Sequence, residues 1–427
     1  MNPSRRPRRS RARFPWLTAA AAAAIVLGGL GMLLMQSWRQ DRLAARMNPE
    51  AEAWLQSYWK IPIAPQGTAP AAYVEFAKGI AESDCAVCHP IQAQDWSASL
   101  HGRTMGPGVT GQLAAMSHAE QAECMPCHAP LSEQWAGLPG GKGGWQPNPG
   151  YDARLAGQGL VCAACHVRAH VRHGPPQPPD RPVISRLFHG EPVRTTLFEA
   201  AEFCRGCHQH GPEFQAPNGK PVENTYAEWL ESRYPAQGKA CQTCHMPGRK
   251  HLWQGIHDPE TTRAGVTINA RADPPAPRRG QTVRAELSLR NTGTGHAFPT
   301  YTTPAVYLRA AFVDAGGREL PGTEREQRIQ RRLDMTTEPW GEAADTRVLP
   351  DREARLAFSA QVPAGAAALR LWVWVEPDQF YTEFYRARLA EQPLPDAAKL
   401  LALALKNATA SAYPLFERTF PVAEAGQ

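Results

Sequence analysis

Residues 85–89 read Cys-Ala-Val-Cys-His, and the pattern Cys-x-x-Cys-His returns four more times along the chain. The five copies use all ten cysteines of the 427-residue sequence: Cys85, Cys88, Cys124, Cys127, Cys162, Cys165, Cys204, Cys207, Cys241 and Cys244. The histidines that end the copies are His89, His128, His166, His208 and His245. Two thiols followed at once by a histidine are the attachment signature of c-type haem. The sequence therefore predicts five covalently attached haems, with these histidines as the proximal iron ligands.

Three other uses of paired cysteines fit the pattern less well. A disulfide framework does not need a histidine after every second cysteine, and a thioredoxin-like redox site would occur once rather than five times. Structural zinc is held by two Cys-x-x-Cys halves together, and five halves cannot all be paired. Haem is the interpretation that uses both the number of copies and the fixed histidine.

The N-terminal segment differs in composition from the rest of the chain. Residues 1–13 contain six arginines, and residues 14–38 carry no charge. At about 1.5 Å per residue, such a stretch is long enough to cross a hydrocarbon core of about 30 Å. Because basic flanks stay cytoplasmic, the pattern predicts a transmembrane helix at 14–38. The bulk of the chain is then expected in the periplasm of a bacterium, anchored to the inner membrane by a single pass. A cleaved signal peptide is the alternative.

The charge of the chain is unevenly distributed. The whole sequence has a formal charge of +6, whereas residues 1–46 alone hold nine arginines against Asp41 and carry +8. The remainder is therefore slightly acidic, with a formal charge of −2. A basic overall balance of this origin gives no reason to expect a nucleic-acid partner.

The spacing of the haem motifs predicts how the middle of the chain is built. The motifs begin about forty residues apart, which is too little polypeptide to enclose a porphyrin in a protein core of its own. We therefore expect the haems to stack on one another, with mostly short helices and loops around them. Residues 39–80 are expected to be a connector, and residues 81–262 a pentahaem cytochrome c domain. Thr225-x-x-Glu228 predicts a capping box at the start of one helix.

A different pattern follows in the last part of the chain, residues 263–427. Val283, Ala285, Leu287 and Leu289 alternate with polar residues, as in a half-buried strand. Further strands are predicted at 305–314, 354–362 and 369–375, and one late helix at 396–408. The spacing of these strands predicts an all-β, immunoglobulin-like sandwich.

Three stretches resemble a known family. Residues 95–101 (Asp-Trp-Ser-Ala-Ser-Leu-His), 228–247 and 291–300 resemble segments of multihaem cytochromes of the cytochrome c-554-like family, in a form where a β-sandwich follows the haems. The similarity covers residues 80–350. Family members often supply a distal iron ligand from a Trp-x-x-Ser-x-His helix. The resemblance implies the distal ligands His101, His189, His251, His257 and His296, leaving His118, His170, His173 and His210 as spares.

His296 lies in the segment Gly293-Thr294-Gly295-His296, where we expect the glycines to free the backbone of a loop. The loop could then push a side chain from the sandwich into the haem domain. The alternative is a turn whose histidine only forms local hydrogen bonds.

These patterns favour an electron carrier. No acid/base pair, nucleophile or phosphate-binding loop stands out, so no catalytic residue is predicted, and redox partner proteins are the expected partners. The alternative is a multihaem oxidoreductase that acts on a small nitrogen or sulfur compound at one open haem iron. A third possibility makes the sandwich a docking module. The distal ligand of each iron is where carrier and enzyme would differ.

Overall fold

The computed structural model describes residues 49–140, 144–177, 186–211 and 214–423. Its α-helices are α1 (Pro49–Tyr58), α2 (Glu75–Lys78), α3 (Glu82–Ala86), α4 (Pro90–Ala98), α5 (Pro107–Leu113), α6 (His118–His128), α7 (Ala153–Ala156), α8 (Cys162–His166), α9 (Arg186–His189), α10 (Glu202–His208), α11 (Thr225–Leu230), α12 (Cys241–His245), α13 (Pro259–Gly265), α14 (Gln379–Ala390) and α15 (Pro395–Ala410). Short 3₁₀ turns lie at His101–Arg103, Ser132–Gln134, Thr196–Glu199, Pro217–Gly219, Pro235–Gln237 and Pro247–Arg249.

The strands fall into two groups. Short strands accompany the helices: β1 (Gly137–Pro139), β2 (Trp145–Pro147), β3 (Val167–Arg168), β4 (Val171–Gly174) and β5 (Val193–Arg194). Longer strands follow: β6 (Val266–Asp273), β7 (Thr282–Asn291), β8 (Ala305–Val313), β9 (Arg325–Ile329), β10 (Arg331–Asp334), β11 (Gly341–Asp345), β12 (Glu353–Gln361), β13 (Ala368–Glu376) and β14 (Tyr413–Pro421).

Apolar side chains explain why the longer strands form two packed sheets. One antiparallel sheet has the order β12-β7-β6 and the other β14-β13-β8-β9, while β10 and β11 form a separate hairpin. Val283, Leu287 and Leu289 of β7 are fully buried against Leu308 and Phe312 of β8 and their neighbours. The alternation predicted for β7 is therefore the inward face of a sandwich core.

The predicted fold class is wrong for this last part of the chain, which is not all-β. The α14–α15 hairpin is inserted between β13 and β14, and only the second of these helices was expected from the sequence. The hairpin has its own small core around Tyr385 and Leu401. Residues 81–262, which carry the five motifs and form the haem-motif region, likewise contain short strands among their helices. The chain thus combines helices and sheets throughout the described residues.

The predicted membrane anchor also needs correction, and with it the single-pass inner-membrane localisation. No helix among the described residues is long and apolar enough to cross a membrane. Their longest helix, α15, has 16 residues and spans about 24 Å at 1.5 Å per residue, which is less than a hydrocarbon core of about 30 Å. The segment 14–38 lies outside the described residues.

The α14–α15 hairpin packs on a helix of the haem-motif region through glycines. A Cβ atom at Gly108 in α5 would lie 2.1 Å from the hydroxyl oxygen of Tyr385. At Gly111, one turn later, it would lie 3.1 Å from Cβ of Leu400. Only glycine allows this close approach of α5 to the hairpin.

Arg331 joins the sandwich to the haem-motif region by burying its guanidinium. The side chain is fully buried and donates hydrogen bonds to the backbone carbonyls of Lys220 (2.7 Å) and Pro221 (2.6 Å). Nε donates to Oε2 of Glu342 at 2.8 Å. The burial cost of the charge is offset because nearly every N–H finds an acceptor.

Replacing Arg331 by Met should lower the free energy of unfolding by about 3 kcal/mol, since it leaves several buried carbonyls without a donor and removes the buried partner of Glu342 Oε2. Arg355→Met, which breaks an exposed ion pair with Glu353, is the matched control and should cost under about 1 kcal/mol. Chemical denaturation of the haem-loaded proteins compares the two. Equal stability of both variants would contradict this account of the junction.

Candidate haem-binding sites

The five Cys-x-x-Cys-His motifs occupy the ends of short helices. In four of them the whole motif lies within the helix and its histidine is the last helical residue, as in α6, α8, α10 and α12. The first motif begins in α3, and His89 caps the start of α4. None of the ten cysteines, all of which lie among the described residues, forms a disulfide. One helical turn thus brings each pair of thiols and its histidine to the same face, as covalent attachment of one porphyrin requires.

Backbone carbonyls fix the orientation of three proximal rings. Nδ1 of His128 donates to the carbonyl oxygen of Thr104 at 2.6 Å, and Nδ1 of His166 to that of His173 at 2.8 Å. Nδ1 of His245 donates to the carbonyl of Gln254 at 2.6 Å. A histidine that donates from one ring nitrogen presents the other, Nε2, as a metal ligand.

Three predicted distal histidines lie opposite proximal ones. A metal–nitrogen bond of about 2.0 Å places two imidazole rings that share one ion roughly 6.3 Å apart, centre to centre. The observed separations are 6.3 Å for His101 and His208, 6.1 Å for His166 and His251, and 6.3 Å for His245 and His296. Each pair joins a motif histidine to one from a distant segment, so these sites fit an iron with two axial imidazoles.

The Trp-x-x-Ser-x-His segment explains how His101 reaches the fourth motif. Trp96 is buried and its indole N–H donates to the carbonyl of Leu160 at 2.7 Å, which anchors α4. The Ser99 hydroxyl donates to the Trp96 carbonyl and accepts from the amide of Gly102. This cap ends the helix and starts the 3₁₀ turn that carries His101. A Cβ atom at Gly102 would lie 2.4 Å from the Trp96 carbonyl oxygen, so the turn requires glycine.

His251 is held by the same helix. Its backbone N–H donates to Oδ2 of Asp95 at 3.0 Å, and its Nδ1 donates to the Arg249 carbonyl at 3.0 Å. Trp253 then lies edge-on to two distal rings, 4.5 Å from the centre of His101 and 5.2 Å from that of His251. Trp253 therefore fills the space between the third and fourth candidate sites.

The other two predicted distal ligands differ from each other. His189 ends α9 close enough to His89 for their charges to interact, which places it beside the first motif. His257 is not brought opposite any proximal histidine. Its Nε2, the atom that would bind iron, is hydrogen-bonded to Oδ2 of Asp378 at 3.0 Å.

The four spare histidines have local roles. Nε2 of His170 donates to the Gly67 carbonyl at 3.0 Å, and the carbonyl of His173 accepts from His166. His118 stacks on Trp145 and His210 on Phe214. None of these four rings stands at the ligand-pair separation from a motif histidine in the described part of the chain.

Burial favours the neutral form of the rings of His101, His166 and His296. It lowers the pKa of His101 to about 3, with a further contribution from neighbouring His208, His245 and His251. Burial also lowers the pKa of His166 to about 4, and it lowers the pKa of His296. Since metal ligation needs an unprotonated imidazole, these rings have their lone pairs available at neutral pH.

The second motif has a different environment. No histidine ring among the described residues stands at the ligand-pair separation from His128. Two tyrosines lie near its cysteines instead: Tyr301 interacts electrostatically with Cys127, and Tyr381 with Cys124. Burial raises the pKa of Tyr301 and raises that of Tyr381 to about 12, so both phenols remain proton donors.

Backbone strain marks the same place. Tyr301 has a φ of 66°, in the left-handed region that non-glycine residues seldom adopt. Both tyrosines also interact with Glu223, whose pKa is raised by burial. Strained backbone beside buried ionisable groups is typical of functional sites.

Thiols of different motifs lie close together. The side chains of Cys85 and Cys162 are near enough to shift each other's pKa, and so are those of Cys127 and Cys207 and those of Cys204 and Cys241. This proximity links the first motif to the third, the second to the fourth, and the fourth to the fifth. Cys165 of the third motif is also within electrostatic range of Cys204 and Cys207 of the fourth. The five motifs therefore form one connected group.

Several groups that shape these sites were not predicted from the sequence. The anchoring carbonyls of Thr104, His173 and Gln254 leave no side-chain pattern. Tyr301 and Tyr381 lie far from the second motif in the sequence. Trp253 does carry a signal, since a tryptophan two residues after a candidate ligand is an obvious neighbour for its ring.

Comparison with solved structures identifies the fold. Over 81% of this chain and 100% of the other, it is similar to a penta-haem cytochrome c552 from Thermochromatium tepidum, with a TM-score of 0.52 and 16% sequence identity. The fold is that of a multihaem cytochrome c. A second match, the sporulation control protein Spo0M from Bacillus subtilis, has a TM-score of 0.13 and 8% identity over 26% of this chain and 43% of that one. This similarity is too low to indicate a shared fold. No protein-family model matches the sequence, and no curated protein does.

The facing rings predict different outcomes for two neighbouring histidines. His251→Ala should convert one ferric haem from low to high spin, because it removes the ring opposite His166. His257→Ala should leave the low-spin signals unchanged, because that ring contacts Asp378. Electron paramagnetic resonance (EPR) of the purified ferric variants measures both. A new high-spin signal in His257→Ala, or none in His251→Ala, would contradict the pairing.

Proposed function

We propose that this protein is a pentahaem c-type cytochrome that carries single electrons between redox partner proteins. Each haem, when bound, would supply an iron that alternates between the ferric and ferrous states. The chain supplies the thiols that fix the porphyrins, the neutral imidazoles that face the irons, and the packing that brings the sites together. The observation that carries the proposal is the set of facing histidine rings, 6.1–6.3 Å apart, within one group of neighbouring Cys-x-x-Cys-His motifs.

The neighbouring thiols indicate a route. Because thioether sulfurs would lie at the edge of each porphyrin, neighbouring thiols of two motifs support neighbouring porphyrin edges. The first and third sites adjoin through Cys85 and Cys162, and the fourth and fifth through Cys204 and Cys241. Trp253 packs against His251 and His101, the proposed distal ligands of the third and fourth sites. It therefore completes the route between these two sites. The proposed route is first, third, fourth, fifth, with the second site branching from the fourth.

The distal ligands support transfer rather than substrate binding at most sites. Two histidine ligands fill both axial positions of an iron and favour low potentials suited to electron transfer. The ring pairs support this arrangement at the third, fourth and fifth sites, and we propose His189, which lies beside His89, as the distal ligand of the first. Redox proteins are therefore the proposed partners.

The route predicts that an electron entering at one haem redistributes inside the same molecule. In flash photoreduction of the holoprotein with sub-stoichiometric reductant, spectral equilibration among the haems should proceed at a rate independent of protein concentration. Mass spectrometry should find five covalently bound haems. A rate proportional to protein concentration would mean that electrons pass between molecules, and would contradict the proposal.

A second candidate function follows from the surroundings of His128. Among the described residues, neither His89 nor His128 has a histidine ring at the ligand-pair separation. His189 lies beside His89, whereas two tyrosines lie near the second motif, so we propose the second site as the open one. Tyr301 and Tyr381 could each donate a hydrogen bond to a small bound molecule. We propose reduction or oxidation of a small nitrogen or sulfur compound there, with electrons exchanged through the fourth site.

This candidate predicts a high-spin ferric EPR signal from one haem of the native protein, which cyanide, nitrite or hydroxylamine should convert. Tyr301→Phe should weaken binding of these molecules several-fold, because it removes a hydrogen-bond donor. Tyr307→Phe, which removes a hydroxyl bonded to Glu376 on the sandwich, is the control and should bind normally. Five low-spin haems and no ligand binding would leave only the carrier.

A further inference from the structure

The ring planes of the three facing pairs are not equally aligned. The rings of His245 and His296 are inclined by 15°, whereas the angle is 45° for His101 and His208 and 41° for His166 and His251. An imidazole bound through one atom can rotate about the metal–nitrogen bond, so its angle is set by what holds the rest of the residue. The near-parallel pair therefore requires a particular restraint on His296.

Asn291 supplies one part of that restraint from within the loop. Its side chain, fully buried at the end of β7, donates to the carbonyl oxygens of His296 and Val348, both at 2.9 Å. Its Oδ1 accepts from the Thr294 amide at 3.2 Å. One amide group thus closes the loop around the distal residue, while Nδ1 of His296 donates to the Ala297 carbonyl at 3.0 Å.

A buried ion pair supplies the other part from outside the loop. Oε2 of Glu228 in α11 accepts from the Ala297 amide at 3.0 Å, and its Oε1 pairs with Arg347 of the sandwich at 3.0 Å. The two side chains are only 10% and 3% exposed. Charge-assisted bonds of this kind are short and directional when water is excluded.

Gly293 and Gly295, which lie on either side of Thr294, allow the loop to pack closely against α11 and α13. A Cβ atom at Gly295 would lie 3.0 Å from Cδ1 of Trp229, and one at Gly293 would lie 2.3 Å from the Ala264 carbonyl oxygen. Neither glycine has a positive φ. Their role is close approach to α11 and α13, not the unusual backbone conformation expected from the sequence.

We propose that Asn291, Glu228 and Arg347 are positioning residues that hold the ring of His296 nearly parallel to that of His245. The inference rests on the proposed role of His296 as distal ligand of the fifth haem. Two parallel axial rings act on the same iron d orbital and split the pair of π-bonding orbitals widely, whereas inclined rings split them less. The fifth haem therefore gives the most rhombic of the low-spin ferric signals, with the smallest maximum g value.

Low-temperature EPR of the ferric holoprotein tests the positioning. Asn291→Asp keeps the acceptor for Thr294 and loses the donor to His296, and Glu228→Gln keeps the acceptor for Ala297 and loses the charge facing Arg347. Each should raise the maximum g value of one low-spin signal, the most rhombic one, and leave the others and the haem count unchanged. Ser288→Ala removes a buried hydroxyl from the same strand and is the matched control with no expected shift.

The variant His296→Ala distinguishes a failure of the positioning proposal from a failure of the ligand assignment. A high-spin signal in His296→Ala together with unshifted spectra in both positioning variants would overturn the positioning proposal alone. Unchanged low-spin signals in His296→Ala would overturn the ligand assignment itself. Both positioning variants are nearly isosteric and should retain the wild-type haem mass. Each leaves a buried group without its partner, so we expect a lower unfolding temperature, and the spectra are compared on folded protein well below that temperature. If one of them does not fold, the spectrum of the other decides.

Discussion

The structure depends on holding imidazole rings still. A histidine serves as an axial ligand only if its Nε2 lies at bonding distance along the porphyrin normal, and the ring can satisfy that while Nδ1 donates elsewhere. In this chain the acceptors are backbone carbonyls, at 2.6–3.0 Å from His128, His166, His245, His251 and His296. Backbone carbonyls cannot rotate away as side chains can. The backbone of the haem-motif region, together with the loop after β7, therefore sets the direction of these ligands.

Distal ligands from remote segments force those segments to pack. His101 depends on α4, whose Trp96 is anchored to residue 160, and His296 depends on the sandwich. The sandwich cannot be a loosely attached module, because Arg331 and Arg347 bury their charges against the haem-motif region. Buried charged groups of this kind give little net stability but penalise any other docking geometry. The polar junction thus specifies one relative position of sandwich and ligand loop.

A feature of this structure could be predicted from the sequence where neighbouring residues determine it, and could not where a tertiary contact does. The haem motifs and the strands near 283–289, 305–313 and 369–375 were predictable, because spacing and alternation are properties of neighbouring residues. Thr225-x-x-Glu228 shows the limit. The capping box predicted there does not form: Glu228 instead binds the Ala297 amide and Arg347, so a tertiary contact overrides a local preference. For the same reason His257 pairs with Asp378 in place of an iron.

The loop between β7 and β8 contributes side chains to two different candidate sites. The segment between β7 and β8 carries His296, which faces His245 of the fifth motif, and Tyr301, which lies near Cys127 of the second. His296 and Tyr301 are five positions apart, so one short loop reaches both the proposed fully ligated site and the proposed open one. The hydrogen bond between Thr300 and Thr225, 2.8 Å long, fastens the loop between them to α11. Because both side chains are set by the same anchored backbone, the loop that holds His296 opposite His245 also positions Tyr301 near the second motif.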